Sequence, residues 1–182
     1  MRAYLDIETS WKGSITVLGI YVPGRLMLQL VGDEVTEENL LWYLTGMSEV
    51  VTYNGTCFDL PVIKAALDVD LKEHLIHDDL MYRCWKQNLK GGFKAVERQL
   101  GIVRRHPSLD GRDAMRLWQM WRHAGEETAL RQLLEYNMDD CVNLCYLEAA
   151  LEGSEPTQAR DHDYITLPAF GFLAADSNSG VW

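Results

Sequence analysis

The chain has 182 residues, 47% of them hydrophobic and 24% charged, and a formal net charge of −10. That length suits one ordinary domain with a sizeable core, and the balance excludes a disordered chain. The longest apolar runs, such as VLGIYV at 17–22, fall far short of a membrane span.

Met1 and Arg2 lead directly into the first strand, which leaves no room for a cleavable signal peptide and implies a cytoplasmic protein without a membrane partner. Residues 4–10, YLDIETS, read as that strand: Ala3, Leu5 and Ile7 seek a core, while Asp6 and Glu8 share the other face. Two carboxylates two residues apart repel. Either their face meets water, or a divalent cation sits between side chains that project the same way. SITVLGIYV (14–22) and RLMLQLVG (25–32) are further strands joined through Pro23-Gly24, so three consecutive antiparallel strands are expected. A helix follows over 36–45, capped by Thr36 and carrying Glu37 and Glu38 in its first turn. EVVTYN (49–54) reads as a buried strand, 58–67 as a helix with Pro61 near its first turn, and HLIHD (74–78) as a last short strand. From there the periodicity is helical: 80–87, 93–100 with Gly101 as its stop, 112–123 and 126–151. Early strands with interposed helices, then helices alone, indicate an α/β layered structure on a mixed sheet. A single domain over 1–151 is expected, with 152–182 as a tail or cover segment.

Four cysteines, Cys57, Cys84, Cys141 and Cys145, form no Cys-x-x-Cys pair and lie among apolar residues, so buried reduced thiols are expected. His74, His77 and Asp78 lack the further ligands of a metal site, and Asp78 and Asp79 are better placed to cap the next helix. Trp118 and Trp121, three apart beside Leu117 and Met120, belong to a core-facing helix. Although the chain is acidic, residues 81–125 hold ten Lys and Arg against three Asp and Glu. This basic segment reads either as solvated helix faces or as a track for a polyanion.

Acids recur in two further settings. Asp59 follows a strand and a turn in YNGTCFDLP (53–61), where a helix N-cap is the structural alternative. Tyr136 and Asp140 of EYNMDDCVNL (135–144) share one helix face, although Asp139 leaves the register open by one residue. Taken together, Asp6-x-Glu8, Asn54-x-x-x-Phe58-Asp59 and Tyr136-x-x-x-Asp140 resemble the three exonuclease motifs of the DEDD superfamily in its tyrosine subtype (DEDDy). NGTCFDLPVI, FKAVERQLGI and YNMDDCVNL look like the proofreading exonuclease domain of family B DNA polymerases and its stand-alone, YprB-like relatives. The likeness extends over about residues 3–148. The other subtype has His five residues before the last Asp, where this chain has Glu135.

The resemblance implies a ribonuclease H-like fold, with a five-stranded mixed sheet flanked by helices, that gathers Asp6, Glu8, Asp59 and Asp140 at one end of the sheet. It implies a 3′-5′ exonuclease acting on single-stranded or 3′-ended DNA or RNA. Hard carboxylate oxygens without thiolate or imidazole favour two Mg²⁺ or Mn²⁺ ions. In the family such ions lie ~4 Å apart and hold the attacking and leaving oxygens of an in-line displacement. Asp6 would then bridge the ions, Glu8 and Asp140 would complete the one that activates water, Asp59 would support the second, and Tyr136 would orient the water. Ser10 and Trp11, directly after the acidic pair, either contact the terminal nucleotide or, in the case of Trp11, fill the edge of the hairpin, and Asn54 and Phe58 of the second motif are further candidate substrate contacts. Lys86, Lys90, Lys94, Arg104 and Arg105 would follow the nucleic-acid backbone. The rival from another class is a nucleic-acid-binding module that keeps the fold without turnover.

Overall fold

The first three predicted strands form a meander. In the computed structural model, which describes residues 1–154, β1 (Arg2–Thr9) pairs antiparallel with β2 (Ile15–Val22), and β2 with β3 (Leu26–Val31). β4 (Glu49–Thr52) joins the other side of β1 in parallel, and β5 (Ile76–Asp79) joins β4 in parallel. The order is β3-β2-β1-β4-β5, with β1 at the centre. Parallel neighbours require crossovers. These are α1 (Glu37–Leu44) before β4, and α2 (Asp59–Leu67) with α3 (Leu71–His74) before β5. Four helices follow: α4 (Leu80–Lys86), α5 (Phe93–Leu100), α6 (Gly111–Ala124) and α7 (Glu127–Glu152). This is the expected five-stranded mixed sheet, antiparallel in its first three strands.

Local chemistry sets the boundaries as anticipated. Thr36 caps α1 by accepting from the Asn39 N–H at 3.2 Å, and Gly101 ends α5 in the left-handed conformation at φ 72. Asp79 caps α4 through the Met81 N–H at 3.2 Å, whereas Asp78 pairs with Arg83 at 2.9 Å instead of capping. The single-turn α3 and a 3₁₀ turn at Gly32–Glu34 were not anticipated, because one turn is too short to show an apolar period. Cys84, Cys141 and Cys145 are buried, but Cys57 is exposed, since it lies in the surface turn between β4 and α2. Residues 155–182, and with them most of the expected tail, lie outside the described residues.

The alternation of β1 divides the core. Ala3, Leu5 and Ile7 pack with Leu40 and Leu44 of α1 and Ile63 of α2. Tyr4, on the opposite face with Asp6 and Glu8, packs under α7 with Cys141, Leu144 and Cys145. A third cluster joins Val17 of β2, Leu117 of α6, and Leu133 and Tyr136 of α7. The 26 residues of α7 span about 39 Å at the helical rise. Each of its fully buried leucines, such as Leu133 and Leu147, contributes about 1.5–3 kcal/mol. Gly19 lets this helix lie close to the sheet: a Cβ there would stand 2.4 Å from Asn137 Oδ1 and 2.5 Å from Cys141 Sγ. Gly19 is the register partner of Asp6, so the closest approach of α7 falls beside that carboxylate.

Candidate metal centre

Asp6 and Glu8 project from β1 toward α7, and α7 answers with Tyr136, Asn137 and Asp140. One carboxylate oxygen from each of Asp6, Glu8 and Asp140 lies within 4.8 Å of the others. Asn137 ties the two elements together, its Nδ2 donating to Asp6 Oδ2 at 2.9 Å and to the Asp6 carbonyl at 3.2 Å. Its Oδ1 accepts in turn from Gln29 Nε2 at 2.9 Å, which fixes the amide orientation. Asp59, the first residue of α2, accepts at Oδ1 from the Ile7 N–H at 3.2 Å, and so is fastened to β1 between the two acids. The preceding residue makes no side-chain cap, and Asp59 itself binds the strand rather than capping α2. It adjoins the close triplet without being one of its members.

The turn that delivers Asp59 is held from below. Asn54 takes a left-handed φ of 63, and Asp79 accepts from the backbone N–H groups of Asn54 at 2.7 Å and Thr56 at 3.0 Å. The same carboxylate therefore caps α4 and shapes the loop before α2.

These acids repel one another in a poorly solvated place. Burial first, then the charges of Asp140, Glu8 and Asp59, hold the Asp6 carboxyl well above the usual carboxylate range. Glu8 is raised likewise by burial and by Asp140 and Asp59. Burial raises Asp59 to about 7 against the opposing Ile7 hydrogen bond, and it raises Asp140 against the opposing Arg104 charge. Among the described residues no basic side chain forms an ion pair with Asp6, Glu8 or Asp59, so their charge lacks a protein counter-ion at contact distance. A cluster of hard oxygen donors under mutual repulsion fits a divalent cation such as Mg²⁺ or Mn²⁺. Two imidazoles are engaged elsewhere: His77 Nε2 lies 2.9 Å from Thr52 Oγ1, and His106 pairs with Glu135 at 2.6 Å.

A pH dependence follows. Each of these carboxyls has a folded pKa above its unfolded value, so each favours the fold fully below about pH 4 and loses that contribution as pH rises toward 7 and beyond. Each unit of upward shift corresponds to about 1.4 kcal/mol. In EDTA the melting temperature is expected to fall between pH 5 and pH 8, and the rise on adding Mn²⁺ should be greater at pH 8 than at pH 5. Thermal melts at the two pH values, with and without Mn²⁺, check this. A Mn²⁺ shift that is larger at pH 5 would contradict it.

Around the acids lies a cleft of about 530 Å³ bordered by Asp6, Asp140, Tyr136, Tyr53, Phe93 and Lys94. A hollow of about 580 Å³ between the β1–β2 turn and α2 is larger but holds none of the acids. Tyr136 is buried on the face of α7 that carries Asp140. Burial and then the Asp140, Glu8 and Asp6 charges push its phenol upward, so the hydroxyl stays protonated. Lys94 Nζ stands 4.3 Å from the Tyr136 ring centroid and donates to the Leu109 carbonyl, which holds the ring from above. Asp139 faces away from the triplet, accepting from the Arg105 N–H at 2.8 Å and pairing with its guanidinium at 3.3 Å.

The substrate candidates are dispersed. Trp11 is 51% exposed at the β1–β2 turn, where Ser10 Oγ accepts from the Lys12 and Ser14 N–H groups, and Phe58 is 43% exposed immediately before Asp59. Lys86 and Lys90 are exposed, and Lys94 lines the cleft. Arg105 is half exposed against Asp139. Arg104 departs from the expected surface track, because its side chain turns inward and pairs with Asp140 and Glu97. Sequence reasoning missed Asn137 and Asp79. The only local signal for Asn137 was its place beside Tyr136, and Asp79 was read as a cap alone.

The RNase_H_2 family model, described as RNase_H superfamily, matches residues 3–152. No curated protein matches the chain. Among the described residues no helix is long and apolar enough to cross a membrane.

Proposed function

The chain belongs to the RNase H superfamily of nucleic-acid-cleaving hydrolases, and from that premise we propose that it is a divalent-metal-dependent 3′-5′ exonuclease of the tyrosine (DEDDy) subtype. The observation that carries the reading is the convergence of Asp6, Glu8 and Asp140 within 4.8 Å, with Asp59 fastened alongside and Tyr136 on the same wall of the cleft. Two Mg²⁺ or Mn²⁺ ions, held by Asp6, Glu8, Asp140 and Asp59, would supply the charge that activates water and stabilises the phosphoryl oxygens.

The chain's own groups do the placing. Asn137 holds Asp6 in one orientation, and the Ile7 N–H does the same for Asp59. Tyr136, protonated and clamped by Lys94, offers a hydroxyl that orients the attacking water and is too weak an acid to serve as its base. Trp11, three residues after Glu8, and Phe58, next to Asp59, are exposed rings on which a terminal base can stack. Lys86 and Lys90 offer exposed charge to the backbone phosphates.

The test is incubation with 5′-labelled single-stranded DNA and RNA in Mg²⁺, Mn²⁺ or EDTA. A ladder of progressively shorter labelled products, absent in EDTA, is expected. Immediate release of a labelled mononucleotide would reverse the polarity, and binding without cleavage in either metal would restore the non-catalytic module. Tyr136→Phe should slow single-turnover cleavage about 10-fold, the worth of one hydrogen bond, without changing the Mn²⁺-induced melting shift. A variant as fast as the parent would mean that Tyr136 only packs.

A further inference from the structure

Arg104 sits in the loop between α5 and α6, flanked by two exposed neighbours. Val103 is 82% exposed and the Arg105 side chain 46%, yet the Arg104 side chain is only 5% exposed. Its guanidinium forms a fork: Nη2 donates to Asp140 Oδ1 and Nε to Glu97 Oε2. Glu97, buried on α5, accepts at its other oxygen from Asn143 Nδ2 at 2.8 Å, and Asn143 lies three residues beyond Asp140 on α7. The four side chains therefore form a ring that begins and ends on one helix. The guanidinium carbon also stands 5.2 Å from the Phe93 ring centroid and 5.9 Å from that of Tyr136, so the fork is packed as well as bonded. Arg104 Nη1 is buried with no partner among the described residues.

One oxygen of Asp140, Oδ1, is thereby engaged by the guanidinium, while the carboxylate as a whole stands in the triplet with Asp6 and Glu8. We propose that Arg104 is a positioning residue that restricts Asp140 to single-oxygen ligation and so makes the centre select a small octahedral cation against Ca²⁺. This rests on the reading of Asp140 as a metal ligand. The physical basis is coordination preference: Ca²⁺ accepts six to eight oxygens and takes carboxylates through both oxygens, whereas Mg²⁺ requires a compact octahedron. A planar, two-pronged guanidinium holds a carboxylate in one orientation, which an ammonium does not.

The test uses the whole chain and calorimetric titration with Mg²⁺ alone and Ca²⁺ alone. Arg104→Met by itself would leave Glu97 buried without its cation, so it is combined with Glu97→Gln, which leaves the summed charge of the ring unchanged. In the double variant the ratio of Ca²⁺ to Mg²⁺ affinity should rise about 10-fold, a typical effect of removing a group that orients a ligand. Glu97→Gln alone keeps an acceptor for Nε and should leave the ratio near that of the parent. Arg104→Lys keeps the charge but cannot bridge both carboxylates, and should raise the ratio part of the way, which also covers the case of an unfolded double variant. An unchanged ratio in the folded variants, by melting in EDTA, would overturn the proposal and leave the ring a purely structural tie. The measurement involves no cleavage, so a parent chain that binds metal without cutting would refute the exonuclease reading and leave this result standing.

Discussion

An Asp6→Ala chain is expected to lose at least about 10³-fold in single-turnover cleavage, or roughly 4 kcal/mol of barrier, while melting at a higher temperature than the parent in EDTA. The two effects have one cause. Asp6 is bonded to Asn137 of α7 and charged against Asp140, Glu8 and Asp59. With metal its charge is an asset; without metal it is repulsion in a buried place. Alanine removes the repulsion but also one acceptor of Asn137, which still donates to the Asp6 backbone carbonyl, so the gain in stability is reduced rather than cancelled. Cleavage assays at saturating Mg²⁺ beside melts in EDTA measure both quantities. An active Asp6→Ala chain would leave no role for the triplet.

The second large effect separates two adjacent acids on α7. Asp140→Asn should abolish Mg²⁺-dependent cleavage, because asparagine keeps the shape and loses the charge that a cation requires. Stability should change little, since Arg104 keeps its pairing with Glu97 and loss of the Asp140 charge relieves Asp6 and Glu8. Asp139→Asn should keep most activity. Its carboxylate holds the Arg105 backbone and guanidinium, an attachment for the loop between α5 and α6, and weakening it should cost about 1 kcal/mol. Single-turnover rates for both variants decide the matter. An inactive Asp139 variant beside an active Asp140 variant would place the final ligand one residue earlier.

Much of the fold was legible because its signals are local. The two-residue alternation of β1, the Thr36 cap, the left-handed Gly101 and the long apolar stripe of α7 each act within a few residues. The motif spacing also pointed to Asp6, Glu8 and Asp140, which the fold brings within 4.8 Å of one another. The supports of those acids were not anticipated. Asn137 meets Asp6 across 131 residues, Arg104 meets Asp140 across 36, and Asp79 meets Asn54 across 25. None of these pairings has a period or a turn type to announce it. Two adjacent arginines in a loop read as solvated charge, and only the packing of α5 against α7 turns one of them inward. The need for Gly19 likewise comes from α7 lying over it, a contact that no local pattern announces.

The position of α7 also bears on when the protein becomes competent during synthesis. Asp6, Glu8 and Asp59 are made early, and Asp140 belongs to the last helix of the described chain. Chains emerge N-terminus first, at about 5–20 residues per second. For several seconds, then, a growing chain holds three of the acids and no means of closing the set. The closing acid and the helix that covers one face of the sheet arrive in the same segment, fastened to β1 by Asn137. No N-terminal fragment that stops short of Asp140 can hold Asp6, Glu8 and Asp140 together, so the set closes only late in synthesis.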